Sequence, residues 1–172
     1  MNNSIYTIGH SNHSPETFVR LLTDAKIEVV VDIRSSPGSP WASYANPHDL
    51  KQILKTAGIQ YLYLGDMLGG RPSDPSCYNP QTGKADYDAI RNKVLFKQGL
   101  SRLLEGLKKY RICLMCAEED PASCHRNLLV GESLRREGVQ TLHIRSTGKI
   151  QTDEELWKEK VGVGANQLSL PL

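Results

Sequence analysis

The chain has 172 residues, of which 39% are hydrophobic and 23% are charged, and its formal net charge is +2. This length suits one domain with a sound core, and the small net charge excludes polyanion binding through overall charge alone. No apolar run is long enough to cross a bilayer, and residues 1–4 lack the regions of a signal peptide. We therefore expect a cytoplasmic protein without a membrane partner, in which four cysteines do not indicate a disulfide framework.

The predicted elements alternate between strands and helices. A first strand over 5–8 precedes a helix that begins after the N-cap residue Ser14 and has Pro15 in its first position. The β-branched run 27–33 is typical of a strand covered on both faces. The later elements are a helix over 47–57, a strand over 59–64, a Gly/Pro-rich loop over 65–84, a helix from 86 to about 109, a strand over 112–117, a helix over 125–137 and a strand over 139–144. This alternation predicts an α/β fold with a mainly parallel sheet and helices on both faces, a Rossmann-like three-layer sandwich.

The sequence changes character near residue 148. We expect an α/β domain over residues 1–147 and a short C-terminal section over residues 148–172. In that section Thr152 and Glu155 fit a capping box for one short helix. Gly162 and Gly164 then predict a flexible spacer before the last residues.

Polar residues collect where the predicted strands end. Ligands of open α/β sheets bind outside the carboxyl ends of the strands, so we expect these residues to share one rim. They are His10, Ser11 and Asn12 after the first strand, Asp32 and Arg34 after the second, Gly69, Gly70 and Arg71 after the third, and Cys116, Glu118, Ser123, Cys124, His125 and Arg126 after the fourth. The sequence therefore predicts one polar site built from four strand ends.

Several of these residues stand in motifs that resemble those of the DUF488 family. The motifs are Thr7-Ile8-Gly9-His10-Ser11-Asn12, Asp32-Ile33-Arg34 with Pro37 and Ser39, Leu68-Gly69-Gly70, and Cys116-Ala117-Glu118 followed by Cys124-His125-Arg126. The likeness runs from about residue 6 to residue 144. It implies an α/β fold and a shared polar site but no established reaction, so the roles of the residues have to be argued from their chemistry.

The candidates for catalysis are Glu118, Asp32, His10 and Cys116. Glu118 leaves a buried strand, and partial desolvation would raise its pKa toward the range that suits acid/base catalysis. A thiolate at Cys116, near Arg126 and a helix start, would have a lowered pKa and could act as a nucleophile or a redox sensor. Asp32 and Arg34 could instead form a structural ion pair, and a structural hydrogen bond is the alternative for His10.

The remaining candidates are predicted to bind a ligand. Arginine side chains and the N-terminus of a helix both favour a phosphate group. The predicted phosphate- or ligand-binding residues are Ser11, Asn12, Arg34, Gly69, Gly70, Arg71, Ser123, Cys124, His125 and Arg126. No cofactor and no metal site are predicted. Zinc held by Cys116 and Cys124 with His125 and His10 stays an alternative, although seven residues separate the cysteines and common zinc sites use shorter spacings.

The last six residues, Gln-Leu-Ser-Leu-Pro-Leu, resemble the hexapeptide that binds the bacterial sliding clamp. Leu168, Leu170 and Leu172 alternate as apolar anchors of an extended peptide, and Gln167 can donate and accept hydrogen bonds. The resemblance implies the β sliding clamp as a partner. A terminal strand or an apolar tail folded onto the domain is the alternative.

Together these features predict an enzyme of DNA or nucleotide maintenance that is tethered to the sliding clamp and hydrolyses a phosphoester or an N-glycosidic bond. Docking on the clamp raises the local concentration of DNA, so that a domain of low net charge can act there. Two alternatives stay open. One is a non-catalytic module that binds a nucleotide or a DNA end. The other is a thiol or metal protein in which Cys116 and Cys124 are the functional pair.

Overall fold

The computed structural model describes the backbone of residues 3–167 and the side chains of residues 3–162. These residues contain one six-stranded sheet. Its strands are β1 Ser4–Gly9, β2 Val29–Asp32, β3 Gln60–Tyr63, β4 Ile112–Cys116, β5 Gln140–Ile144 and β6 Ile150–Thr152. The strand order is β3-β2-β4-β1-β5-β6. The first five strands are parallel to one another, and β6 is antiparallel to β5.

Helices connect the strands. They are α1 Pro15–Asp24, α2 Pro47–Thr56, α3 Gly65–Leu68, α4 Tyr87–Arg91, α5 Val94–Leu107, α6 Glu132–Arg136 and α7 Asp153–Gln167. A π-helical segment, Arg126–Gly131, leads directly into α6. Single turns of 3-10 helix lie at Ser43–Ala45, Pro75–Cys77 and Pro121–Ser123.

The sheet is covered on both faces, which confirms the predicted three-layer sandwich. Residues on one face of the sheet, including Tyr6, Ile8, Val30, Cys113 and Met115, pack against Phe18, Leu21 and Leu22 of α1 and Leu50 and Leu54 of α2. Residues on the other face, including Val29, Val31 and Leu114, pack against Leu68, Ile90, Phe96, Leu103, Leu129 and Leu134 of the later helices. Successive residues of a strand point to opposite faces, so the continuous apolar runs fill both layers. Each fully buried leucine or phenylalanine stabilises the fold by about 1.5–3 kcal/mol.

Local signals in the sequence explain where some helices begin and end. The side chain of Ser14 accepts a hydrogen bond from the backbone N–H of Thr17, which confirms the predicted cap of α1. The single helix predicted from residue 86 to about 109 is wrong. Asp86 caps α4, but Lys93 has an extended backbone with ψ 139° and caps a second helix, α5. Apolar periodicity continues across this break and therefore does not reveal it.

The C-terminal section begins inside the sheet. β6 pairs with β5, and Leu156 of α7 is fully buried. The capping box is confirmed, because the hydroxyl of Thr152 accepts from the N–H of Glu155 while the carboxylate of Glu155 accepts from the N–H of Thr152. The flexible spacer predicted at Gly162 and Gly164 is wrong, since α7 continues through both glycines. In the described part of the chain no helix combines the length and the apolar character that a membrane span needs.

Gly9 ends β1 directly against the loop that follows β4. A Cβ atom at Gly9 would lie 1.7 Å from the carbonyl oxygen of Glu118. The two segments stay paired beyond their strands, because the N–H of His10 donates to Cys116 O at 2.9 Å and the N–H of Ser11 donates to Ala117 O at 2.9 Å. Only glycine permits this approach of two backbones.

We predict that Gly9→Ala lowers the free energy of unfolding by about 1–3 kcal/mol or more, where 1–3 kcal/mol is the usual cost of overpacking. The added methyl group would clash with the backbone of Glu118, which cannot rotate away as a side chain can. Urea denaturation followed by circular dichroism measures the change. Gly38→Ala is the control, since no heavy atom beyond the adjacent residues lies within 4 Å of a Cβ atom at that position. Equal losses in the two variants would contradict the packing argument.

Candidate active site

A pocket of about 280 Å³ opens at the carboxyl ends of β2 and β4. It is lined by Arg34, Ser35, Ser36, Gly70, Arg71, Tyr87, Cys116, Ala117, Glu118, Ser123, Cys124 and His125. The sequence predicts most of these residues as site residues. It does not predict Tyr87, the first residue of α4, because no local signal links that helix to the strand ends. Ser35 and Ser36 follow Arg34 at the end of the second strand, where the sequence already places polar residues of the predicted rim.

Two thiols and an imidazole meet at the base of this pocket. We call Cys116, Cys124 and His125 the Cys/His cluster. Cys116 is the last residue of β4, and the turn Pro121–Ser123 brings the chain back so that Cys124 and His125 lie beside it. Nδ1 of His125 is 3.6 Å from Sγ of Cys116 and 4.0 Å from Sγ of Cys124. The four cysteines of the chain, including these two, are unpaired thiols.

The tautomer of a neutral His125 ring follows from the contact of its other ring nitrogen. Nε2 lies 2.9 Å from the carbonyl oxygen of Ile33. A carbonyl oxygen only accepts, so Nε2 carries the proton and Nδ1 presents its lone pair to the sulfur atoms. Gly70 makes room for this ring, since a Cβ atom at Gly70 would lie 2.8 Å from Cβ and Cγ of His125. His125 is thereby held as a proton acceptor for the thiols.

The two thiols of the cluster differ sharply in pKa. The pKa of Cys116 is lowered to about 7, chiefly because the thiol of Cys124 donates a hydrogen bond to its sulfur. The charge of Arg126 and backbone N–H donors from Ala117 and Glu118 lower it further, while burial opposes them. The pKa of Cys124 is raised to about 12, because its proton is held by Cys116 and because it is buried. Near neutral pH Cys116 is therefore partly a thiolate and Cys124 a thiol.

Arg126 lies beneath the loop that follows β4 and does not line the pocket. Its side chain is fully buried. Nε donates to the hydroxyl of Thr7 at 3.3 Å, Nη2 donates to the carbonyl oxygen of Glu119 at 2.8 Å, and Nη1 donates to that of Glu118. These bonds engage the guanidinium inside the protein, so the structure places Arg126 behind the pocket and not in its lining. From this position Arg126 holds the loop, and its positive charge lowers the pKa of Cys116.

Asp32 and His10 lie behind the pocket wall in a buried network. Oδ1 of Asp32 accepts from Nε of Arg34 at 2.9 Å, and Oδ2 accepts from Nη2 of Arg34 at 2.7 Å and from the hydroxyl of Tyr61 at 2.9 Å. Nε2 of His10 is 3.3 Å from Nη1 of Arg34, Nδ1 is 2.9 Å from the carbonyl oxygen of Ser11, and burial lowers the pKa of His10. These contacts fit the structural alternatives, an ion pair for Asp32 and a hydrogen bond for His10, and they leave His10 outside the Cys/His cluster. The catalytic roles of both residues stay predictions.

Glu118 and Arg71 are the exposed charged groups of the pocket. The side chain of Glu118 is exposed and not desolvated as predicted, although its backbone carbonyl packs inward and accepts from Arg126. Arg71 is fixed at its backbone, where its N–H donates to the hydroxyl of Ser35 at 2.9 Å, while its side chain is open to solvent. The wall of the pocket thus offers one accessible carboxylate and one accessible guanidinium.

Ser11, Asn12 and Gly69 do not line the pocket. Gly69 supports it indirectly, since a Cβ atom there would lie 2.2 Å from Oγ of Ser35. Both glycines thus permit close packing, Gly69 against Ser35 and Gly70 against His125. Gly70 lines the pocket, whereas Gly69 lines a neighbouring cavity that shares Ser35, Ser36 and Arg71 with it.

Sequence and structure comparisons relate the chain to known proteins. The profile described as "Domain of unknown function DUF488" matches residues 14–132. None of the curated proteins compared matches the chain. Among solved structures, a protein of Shewanella putrefaciens CN-32 provisionally described as a phosphatase (DUF442) is similar, with 18% identity and a TM-score of 0.40. The match covers 75% of this chain and 64% of the Shewanella protein, so this chain spans less than two thirds of that protein's length. So weak a likeness carries no conclusion about function.

We predict that iodoacetamide modifies Cys116 before the other cysteines, with a rate that rises around pH 7 as the thiolate forms. Burial raises the pKa of Cys77 and of Cys113, so both react slowly. Cys124→Ala removes the main hydrogen bond to the thiolate and should move the midpoint of the rate profile to higher pH. Mass spectrometry at a series of pH values measures both effects. Cys77→Ala is the control, and an unchanged profile in Cys124→Ala would overturn the assignment of the donor.

Proposed function

Because the chain belongs to the DUF488 family, whose description assigns no function, we propose its function from the candidate active site. The protein is an enzyme of DNA or nucleotide maintenance that hydrolyses a phosphoester, with Cys116 as the nucleophile. One observation carries this proposal. A thiol with a pKa of about 7 lies at the base of a pocket that also contains an exposed guanidinium and an exposed carboxylate.

The lining of the pocket supports a phosphate-bearing substrate. Arg71 offers a guanidinium that can bind two phosphate oxygens at once. Ser35, Ser36 and Ser123 add hydroxyl groups that can donate to the same oxygens. An N-glycosidic bond is the second bond that the sequence suggests. The carbon that reacts in such a bond carries no anionic oxygens, so the guanidinium and the hydroxyl groups of the lining have nothing comparable to bind there. The lining therefore favours the phosphoester.

The reaction has two steps in this proposal. The thiol of Cys116 passes its proton to Nδ1 of His125, its sulfur attacks phosphorus, and the phosphorus–oxygen bond to the leaving group breaks. The imidazolium returns the proton to the leaving oxygen. Glu118 then takes a proton from a water that attacks phosphorus, the sulfur–phosphorus bond breaks, and Cys116 leaves as a thiolate. Transfer of the proton from Glu118 to this thiolate restores the starting state.

We predict that the full-length protein releases phosphate from p-nitrophenyl phosphate or from an oligonucleotide with a terminal phosphate. Cys116→Ser should abolish turnover, and Glu118→Gln should slow the second step by about 10²–10⁴-fold, the usual contribution of an acid/base group. Cys77→Ala, which changes a buried thiol outside the pocket, is the matched control. A stoichiometric burst of leaving group in Glu118→Gln would separate the two steps.

The main alternative makes a different prediction. A non-catalytic module would bind the phosphorylated oligonucleotide with an affinity that survives Cys116→Ser and Glu118→Gln, and the unaltered protein would release no phosphate. That result would contradict hydrolysis and favour the binding module.

We also propose that the C-terminal hexapeptide docks on the bacterial sliding clamp. Leu168, Leu170 and Leu172 lie outside the described residues, and Gln167 is the last residue of α7. The support is therefore the sequence pattern of three alternating leucines after a glutamine. A clamp-bound enzyme would act in the cytoplasm, where Cys116 stays reduced.

We predict that the full-length chain binds a purified bacterial sliding clamp in isothermal titration calorimetry. A chain that ends at Asn166 and the variant Leu170→Ala should both lose binding, because each removes an apolar anchor of the peptide. Ser169→Ala, between two anchors, is the matched control and should bind as the unaltered chain does. No heat of binding from the full-length chain would overturn the clamp proposal and leave the proposed hydrolysis untouched.

A further inference from the structure

We propose that the Cys/His cluster binds one Zn²⁺ ion, and that the bound ion switches off the nucleophile Cys116. The site consists of Sγ of Cys116, Sγ of Cys124 and Nδ1 of His125, whose donor atoms all lie within 4.8 Å of one another. The binding of zinc stands on this geometry alone. Its inhibitory effect rests on the proposed hydrolysis.

The distances within the cluster suit a tetrahedral zinc ion. Zinc binds sulfur at about 2.3 Å and nitrogen at about 2.0–2.1 Å, which places tetrahedral sulfur and nitrogen ligands about 3.5 Å apart. The corresponding separations from Nδ1 of His125 are 3.6 Å to Cys116 and 4.0 Å to Cys124. Small rotations of the two thiol side chains close the remaining difference.

The imidazole of His125 is already oriented as a ligand. Its Nε2–H donates to the carbonyl oxygen of Ile33 at 2.9 Å, so that the lone pair of Nδ1 points to the sulfur atoms. Histidines that bind metals usually donate their second ring nitrogen to a carbonyl or a carboxylate in this way. The contact fixes both the tautomer and the ring orientation before any metal binds.

The charges around the cluster are compatible with zinc as well. Two thiolates and one Zn²⁺ sum to zero, so the complex presents no net charge to Arg34 and Arg71 in the pocket wall. Binding requires Cys124 to release its proton to solvent, which makes the affinity rise with pH. The pocket leaves the fourth position of the ion open to water.

Zinc and the proposed reaction compete for the same sulfur. In the zinc complex the electron pair of Cys116 that would attack phosphorus forms the zinc–sulfur bond. Nδ1 of His125 is occupied too, and cannot accept the proton of the thiol. Removal of the ion by a chelator frees both groups. The cluster would therefore make the enzyme responsive to free zinc.

The test uses the full-length protein, reduced and freed of metal. Zn²⁺ is titrated in competition with a chromophoric chelator, and Co²⁺ is titrated while thiolate-to-cobalt charge-transfer absorption is recorded. We expect one ion per chain, an absorption typical of two thiolate ligands, and at least a tenfold loss of affinity in each of Cys116→Ser, Cys124→Ser and His125→Gln. Cys77→Ala should bind as the unaltered chain does. An unaltered chain that binds no zinc, or binds it without thiolate absorption, overturns the site.

Two further outcomes separate the zinc site from the proposed function. The cobalt spectrum of the unaltered chain decides the ligand type even where a cysteine variant fails to fold. If the metal-free protein hydrolyses phosphoesters and zinc does not bind, only the zinc site is wrong. If zinc binds through two thiolates and the metal-free protein hydrolyses nothing, the zinc site stands, and both the hydrolysis and its inhibition by zinc are wrong. Inhibition by zinc that a chelator reverses supports both.

Discussion

The buried guanidinium of Arg126 joins the sheet to the loop that carries the candidate active site. It donates to Thr7 in β1 and to the carbonyl oxygens of Glu118 and Glu119. A buried charge is tolerated only when its hydrogen bonds are satisfied, and each buried carbonyl left without a donor costs about 1–3 kcal/mol. The same residue therefore holds the backbone from which the Glu118 side chain extends, and its charge stabilises the thiolate of Cys116. Arg126 thus contributes both to the geometry of the loop and to the lowered pKa of Cys116, whose chief cause is the hydrogen bond from Cys124.

The alternation of elements could be predicted because each long element has its own periodic or β-branched pattern, and the parallel sheet follows from that alternation. β6 could not be predicted, because a three-residue strand has no pattern of its own and depends on β5 for its pairing. The carboxyl ends of the strands indicate where the pocket opens. The burial of each side chain near these strand ends could not be predicted from the sequence. Asp32 and Arg126 are charged residues next to predicted strand ends, yet the structure buries both side chains completely.

The closeness of Cys116 and Cys124 illustrates a second limit of sequence reasoning. Seven residues separate them, and that spacing is unlike the short loops of common zinc sites. The short turn over Pro121–Ser123, capped by the carboxylate of Asp120, folds the connecting residues back so that the thiols meet. The functional meaning of a spacing thus depends on the turn between the residues. This turn has a local signature, an aspartate before a proline, which could have indicated the reversal.

Arg34 and Arg71 both line the pocket, but they contribute unequally to its electric field. The charge of Arg34 is balanced at contact distance by Asp32, and a further hydrogen bond to the carbonyl oxygen of Ala45 immobilises it. Arg71 is left as the accessible cation. Exposed charges are screened over a Debye length of about 8 Å at physiological ionic strength, so a single guanidinium attracts an anion only at close range. The serine hydroxyls of the pocket would then determine which anions bind selectively. Added salt would weaken the attraction between Arg71 and an anion only as much as it weakens the attraction of one exposed charge.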